Sequence, residues 1–424
     1  MIATLVEIWK SRDLRFKVLY TAAILLFVRV IAHIPLPAFD RFELEQFLSR
    51  AENQVFGVLS IFTGGSLANL SIALLGVGPY ITASIVVQIL TKAIPSWEEI
   101  SKEGTSGREK LNQYSRYLTF PLALIQGYGT MAILRDQNVL TNISNYQLLI
   151  ILLTISAASI FMMWLGELIS EKGIGNGISL IIVLSIVAGM PQQISNTASA
   201  IEAGSFSSFI LFGLVALITV VVIVVVNDAE RKIPITYPRR VISPTTTNPI
   251  GSYLPIRVNI AGVIPIIFAL SFLTFPTIVA RFLSSAKSQA VASFARAVTD
   301  FTSNDLYYGL TYFVLVIAFT FFYVSIIFQP AQISENLQKQ GGFIPGIRPG
   351  KETTEFIRQT ISRLTVVGAF FIAAIAVLPL VMQGFVSIPT LVIGGTSVLI
   401  VVSVVIETAK QLAGQLSMRR YDTI

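Results

Sequence analysis

The sequence predicts an all-α membrane protein of ten transmembrane helices, arranged as two pseudo-symmetric, inverted five-helix halves. Three observations predict it. Of the 424 residues, 54% are hydrophobic and 12% charged, whereas an ordinary soluble domain carries roughly 25% charged residues. Ten apolar windows recur, each near the roughly 20 residues that a bilayer crossing needs. The Lys and Arg residues behind the net charge of +7 fall mainly on alternate connections. The composition also removes most site chemistry. With no cysteine and a single histidine, His33, disulfides, thiolate metal sites and paired imidazoles are excluded. No cofactor is expected.

The first window, Val18–Ile34, follows a charged leader and ends in His33-Ile34-Pro35-Leu36-Pro37 rather than at a small-residue cleavage site. It is therefore expected to stay as a span. Arg29 and His33, four apart in its last turns, share a face and can snorkel to the interface. The second, Leu70–Ile94, contains Gly76-Val77-Gly78-Pro79, which breaks a helix. The stretch before it, Ile61-Phe62-Thr63-Gly64-Gly65-Ser66-Leu67-Ala68-Asn69-Leu70, reads either as a re-entrant segment, allowed at membrane depth only when buried in protein or lining a cavity, or as a kinked helix start. Tyr117–Leu134, Tyr146–Leu165 and Ile174–Met190 complete residues 1–190, the first half. Phe206–Val226, Val258–Ile278, Leu306–Phe328, Leu364–Met382 and Ile388–Ile406 form the second half, residues 191–424.

Ten spans put both termini on one side. On that side lie 23 of the 30 basic residues, against Arg41, Arg50, Arg135, Arg281, Lys287 and Arg296 on the other and Arg29 within the first span. The positive-inside rule makes the first side cytoplasmic. Five plus five spans give oppositely oriented halves, as in inverted-repeat transport folds. That repeat rests on parity and loop pattern, for no residue similarity between the halves is visible. An ion-coupled secondary transporter is the alternative. It would usually place a carboxylate at mid-membrane depth, and no Asp or Glu lies in any window. A membrane-embedded enzyme would need paired acids, bases or metal ligands in its spans, and none is present.

Gly173-Ile174-Gly175-Asn176-Gly177-Ile178-Ser179 only superficially resembles a phosphate loop. It has neither the preceding strand nor the following Lys-Ser/Thr, so close helix packing through small residues is the preferred reading. The long connections 227–257 and 330–363 carry Arg231-Lys232, Pro238-Arg239-Arg240 and Gly346-Ile347-Arg348-Pro349-Gly350. Most of that charge is explained by topology. The Gly-Pro spacing around Arg348 instead fixes turns that present one cation at a tip, which suits an anionic partner surface.

Seven segments in order, namely Gly64-Gly65, Gly76–Ser84, Lys102–Arg108, Gly173–Ser179, Ala261–Pro265, Gly346–Gly350 and Gly394–Ser397, resemble the SecY family of translocase channel subunits. The resemblance covers nearly the whole chain. It implies a clamshell of two halves around an hourglass pore, constricted at Val77, Ile81, Ile178, Ile182, Ile267 and Ile400. It also implies a plug at Ile61–Leu70 and a sideways exit between spans two and three and spans seven and eight, with Gln88, Thr119 and Asn259 as polar gate residues. Arg348, with Arg239 and Arg240, would meet a ribosome or the SecA motor. SecE, SecG, nascent chains and membrane lipids are the other implied partners. The physics of the ring stands by itself. Ile81 follows Val77, and Ile182 follows Ile178, by four, so each pair shares a helix face, and branched apolar side chains around a narrow bore dewet it.

Overall fold

The computed structural model describes residues 9–36, 71–136, 144–202, 206–237, 252–283, 288–385 and 395–422. Thirteen helices and one β-hairpin are found among these residues. The first half holds α1 (Arg12–Ile31), α2 (Gly78–Ala93), α3 (Pro95–Lys102), α4 (Thr105–Asp136), α5 (Asn145–Lys172) and most of α6 (Gly177–Glu202). The second holds α7 (Phe206–Asp228), strands β1 (Glu230–Ile235) and β2 (Ser252–Arg257), α8 (Ile264–Leu283), α9 (Gln289–Ser303), α10 (Asp305–Ile327), α11 (Pro330–Lys339), α12 (Lys351–Phe385) and α13 (Gly395–Asp422). Each of the ten apolar windows overlaps a helix. Among the described residues four stretches are long and apolar enough to cross a bilayer, Asn145–Lys172, Leu306–Lys339, Lys351–Val381 and Ser397–Leu416. Three shorter apolar helices lie at Gly177–Pro191, Gly213–Asp228 and Ile264–Thr277.

Each half is a layered bundle. In the first, α2 packs on α4, α4 on α5, and α5 on α1 and α6. In the second, α10 lies between α8 and α12, while α13 contacts α12 and α7. The halves meet along two seams, α8 against α2 and α4, and α13 against α6. One apolar cluster bridges both, with Ile182, Ile186, Ile267, Phe268, Val316, Ile372 and Ile400 among its buried members.

Close backbone approach explains the glycine-rich segment after α5. A Cβ at Gly177 would strike the Gly166 carbonyl, and one at Gly173 would strike the Thr21 hydroxyl of α1. Thr21 Oγ1 accepts from Ile174 N at 3.1 Å, and Ser170 Oγ accepts from Gly177 N at 2.9 Å. The segment thus pins α1, α5 and α6 together, as small-residue packing requires.

Two expectations need correction, and one element is additional. In the second window the break expected at Gly76–Pro79 is present, but the part before it, Ile72–Val77, forms successive turns rather than a short helix, with Gly76 at φ 52°. Pro79 cannot donate, so a helix starts there readily and cannot run through it. The turn backbone is tied to other elements: Ile72 N donates to Ile34 O at 3.0 Å, and Ser159 Oγ of α5 donates to Gly76 O at 2.7 Å. Next, 227–257 and 330–363 are not merely loops. In β1 the alternate residues Ile233 and Ile235 are buried, the period of a half-buried strand. The hairpin pairs Glu230 with Arg257 through Ile235 with Ser252. With Ile256, Leu337, Ile344, Ile357 and Ile361 it encloses a second apolar core. Last, the connection after α8 contains a helix, α9, between the apolar windows Val258–Ile278 and Leu306–Phe328.

The Gly166–Gly177 approach gives a direct test. Gly177→Ala should cost about 1–3 kcal/mol by overpacking, read as a lower melting temperature of the purified protein in detergent. Gly189→Ala in the same helix, where nothing lies within 4 Å of the added methyl, should leave it unchanged or slightly raised.

Candidate functional site

The six apolar residues singled out in the sequence come from four helices of both halves. Val77 is the N-cap of α2, Ile81 lies one turn into it, and Ile81 N donates to Val77 O at 3.1 Å. Ile178 and Ile182 stand in the first turns of α6, Ile267 in the first turn of α8, and Ile400 near the start of α13. All six belong to the apolar cluster that bridges the halves: Val77, Ile182, Ile267 and Ile400 are buried, Ile81 and Ile178 half-buried. Ile178 also lies against Gly166 of α5, so part of its side chain is committed to packing between α5 and α6. Three of the four helices start next to a glycine of positive φ, Gly76 at 52°, Gly175 at 78° and Gly262 at 64°. That left-handed backbone, which a Cβ disfavours, lets each helix begin abruptly and place its first apolar side chains in the cluster.

The three polar residues do not pair with one another. Gln88 Nε2 donates to Ser84 Oγ of its own helix at 3.0 Å, and its Oε1 is buried without a partner. Thr119 donates to the Ser115 carbonyl at 2.7 Å. Asn259 is fully engaged inside its own half. Its Nδ2 donates to Asn227 Oδ1 at 2.7 Å, its Oδ1 accepts from Gly262 N at 3.0 Å, and Asn227 Nδ2 donates in turn to Ser403 Oγ at 2.6 Å. This chain fastens the start of α8 to the end of α7 and to α13. The sequence reading missed Asn227 and Ser403. The only local signal is a lone amide closing the aliphatic run of α7.

Arg348 stands exposed on a built tip. Its N–H donates to Glu352 Oε2 at 3.3 Å, its carbonyl accepts from Thr353 Oγ1 at 2.9 Å, and Ser334 Oγ of α11 donates to Gly350 O at 3.0 Å. Gly346 at φ 82° and Gly350 at φ 103° flank it. The backbone is held while the guanidinium faces solvent, the arrangement of a presented cation. Lys410 of α13 bonds Asp228 at the end of α7 at 2.5 Å, and this hydrogen bond, then the ammonium charge, holds the Asp228 carboxyl below its ordinary range. The plug stretch Ile61–Leu70 and the pair Arg239 and Arg240 lie outside the described residues. No cluster of metal-ligating side chains occurs among the described residues.

A family model for SecY matches residues 71–409. The chain belongs to the SecY family. It is 39% identical to the protein translocase subunit SecY of Streptomyces griseus, over 100% of this chain and 99% of the relative. Its fold is similar to that of a SecY channel whose plug domain is described as stabilising the closed state and maintaining a membrane seal (TM-score 0.64, 17% identity, 94% of this chain and 91% of the other). It is also similar to Sec61 in the canine ribosome–channel complex from the endoplasmic reticulum (TM-score 0.61, 16% identity, 94% and 91%). This SecY-family chain is accordingly a multi-pass membrane protein, and the matched region contains all six apolar residues, the Asn259 chain and the Arg348 tip.

The polar chain predicts a loosened seam when it is cut. Asn227→Ala removes both of its side-chain hydrogen bonds, each worth about 1 kcal/mol net, so the start of α8 should part from α2 about fivefold to thirtyfold more often. A single cysteine at Ile85, buried in α2, should then be alkylated correspondingly faster. An unchanged rate would show that the Asn259 chain does not set the seam.

Proposed function

We propose that this chain is the protein-conducting channel of a bacterial plasma membrane, passing unfolded secretory polypeptides across it and releasing transmembrane segments sideways into lipid. The observation that carries the reading is the full-length kinship to a protein translocase subunit, and the apolar cluster shared by the two halves supports it. Val77, Ile81, Ile178, Ile182, Ile267 and Ile400 act as the constriction. A ring of branched apolar side chains excludes water and ions at rest, yet its contacts are dispersive and unspecific, so they part around any sequence. Ile61–Leu70 serves as the plug on the outer side of the ring. The seam of α8 with α2 and α4 is the lateral gate, with Gln88, Thr119 and Asn259 near it. The unpartnered Gln88 oxygen weakens closure there, because a buried acceptor without a donor is costly.

Ten spans with both termini in the cytoplasm place the hairpin, α11 and the Arg348 tip on the cytoplasmic face. The tip, with Arg239 and Arg240, docks the ribosome or SecA, whose ATP hydrolysis drives translocation. SecE and SecG clamp the two halves from outside. The chain itself is a non-enzymatic component. The ion-coupled transporter reading has no support in kinship or in any carboxylate within the ten windows.

The test is crosslinking of a stalled secretory chain to single cysteines at Ile81, Ile182, Ile267 and Ile400, in a protein with no native cysteine. Crosslinks at all four that vanish without SecA or a ribosome are expected; silence at all four in folded, inserted protein would refute the ring. Ile267→Asn should raise resting ion leakage of reconstituted vesicles, since a polar residue wets the constriction. Arg348→Glu should reduce SecA-dependent translocation severalfold while the melting temperature stays unchanged. Full activity of that variant would reduce the charge at Arg348 to a topology signal.

A further inference from the structure

Helix α9 carries three distinct stripes. Ala292, Ala295, Thr299 and Thr302 face the protein, with Ala292 and Ala295 buried, and the helix packs on both α8 and α10. Gln289, Ser293, Arg296 and Asp300 form an exposed polar stripe. The third stripe, Ala290, Phe294, Ala297 and Phe301 with Val291 beside it, is apolar and also exposed; Phe294 is 71% accessible. The members of each stripe are three or four residues apart, so each is one continuous face of the helix. A helix lying between protein and water needs only two faces, one apolar and one polar. The third requires an apolar environment of its own.

The surroundings identify that environment. The Phe301 ring stacks on Tyr307 of α10, with centroids 5.6 Å apart and planes 8° from parallel. Just beyond, Leu306 and Leu310 are exposed at the start of a stretch long and apolar enough to span a bilayer. The apolar stripe of α9 is thus continuous with the lipid-facing side of α10 at the bilayer edge. We infer that α9 is a membrane-interface helix on the outer leaflet, with Phe294 and Phe301 set among lipid and the Arg296–Asp300 stripe in water, seating the outer end of α8 at a fixed depth. Arg296 and Asp300 are its only charged residues and cancel. Burial of apolar area therefore drives the contact rather than anionic-lipid attraction.

The test uses the full chain, purified with its co-purifying subunits and reconstituted into phosphatidylcholine vesicles with or without phosphatidylglycerol. Spin labels are placed on single cysteines at Phe294, Ala290 and Asp300. The labels at positions 294 and 290 should be open to oxygen and closed to a water-soluble nickel chelate, that at position 300 the reverse, with no dependence on phosphatidylglycerol. Chelate access at all three positions would overturn the proposal by placing α9 clear of the bilayer. Labels at 294 and 290 immobilised and closed to both agents would overturn it in favour of a protein partner. The side of the membrane rests on the topology proposed above and is read separately. An impermeant maleimide should reach position 300 from the cell exterior; reaction only in inverted vesicles would refute the outer-leaflet placement and that topology without touching the lipid contact.

Discussion

A helix surrounded by lipid gains little by hiding leucine, because acyl chains are as apolar as leucine itself. Association must come from close packing and from polar groups with no other partner. This chain shows both. The missing side chains of Gly166 and Gly177 bring α5 and α6 to backbone contact, and Gly173 admits the Thr21 hydroxyl of α1 into the same junction. In the second half, Gly368 of α12 lies so near the Val258 carbonyl that a Cβ would meet it at 2.7 Å. Large apolar side chains are left on the outside in number, as on α7, where Leu214, Leu217, Ile218, Val221 and Val225 are all more than half exposed. In water that surface would be a liability; in a bilayer it is the solvated face.

The same constraint explains how a tightly packed chain can still open. The longer-range side-chain bonds described here stay within one half. Thr82 accepts from Gln126, Gly76 O from Ser159 and Glu167 from Arg116 in the first half, while Asn259, Asn227 and Ser403 form their chain in the second. Each half is therefore stiffened by directional bonds that strain cannot stretch far. The seams between the halves, α8 against α2 and α4 and α13 against α6, lie instead on the shared apolar cluster. Sliding one apolar surface past another exchanges weak dispersive contacts for similar ones. The mechanical weak plane thus runs along those two seams.

Much of this was legible in the sequence, and the failures have physical causes. Each of the ten hydropathy windows overlaps a helix among the described residues, since a run of apolar residues has few alternatives in lipid. The glycine segment at 173–179 was assigned correctly to packing because a phosphate loop needs neighbours that are absent. Periodicity misled where the backbone rather than the side chains decides. The break at Gly76–Pro79 was legible, but Leu74, Leu75 and Val77 before it are as buried as helix residues, and hydropathy cannot distinguish a buried turn from a short buried helix. The hairpin core was missed because its inward residues, Ile233, Ile235 and Ile256, are spaced by two and scattered among Arg, Lys and Pro. Asn259 was selected from kinship alone, and kinship gave no hint that its amide is already engaged by Asn227.

The junction at Ser71 connects these points. Pro35 at the end of the first span forms a bridge with Ser71, and Ile72 N donates to Ile34 O. The chain therefore leaves and re-enters the described fold at one clamp, with the segment containing Ile61–Leu70 between its two sides. Beyond the clamp, Ile72–Val77 is bonded to Ser71, to Ser159 and within its own turns, and Val77 then enters the apolar cluster. The clamp therefore ties the end of the first span directly to the turns that lead into α2.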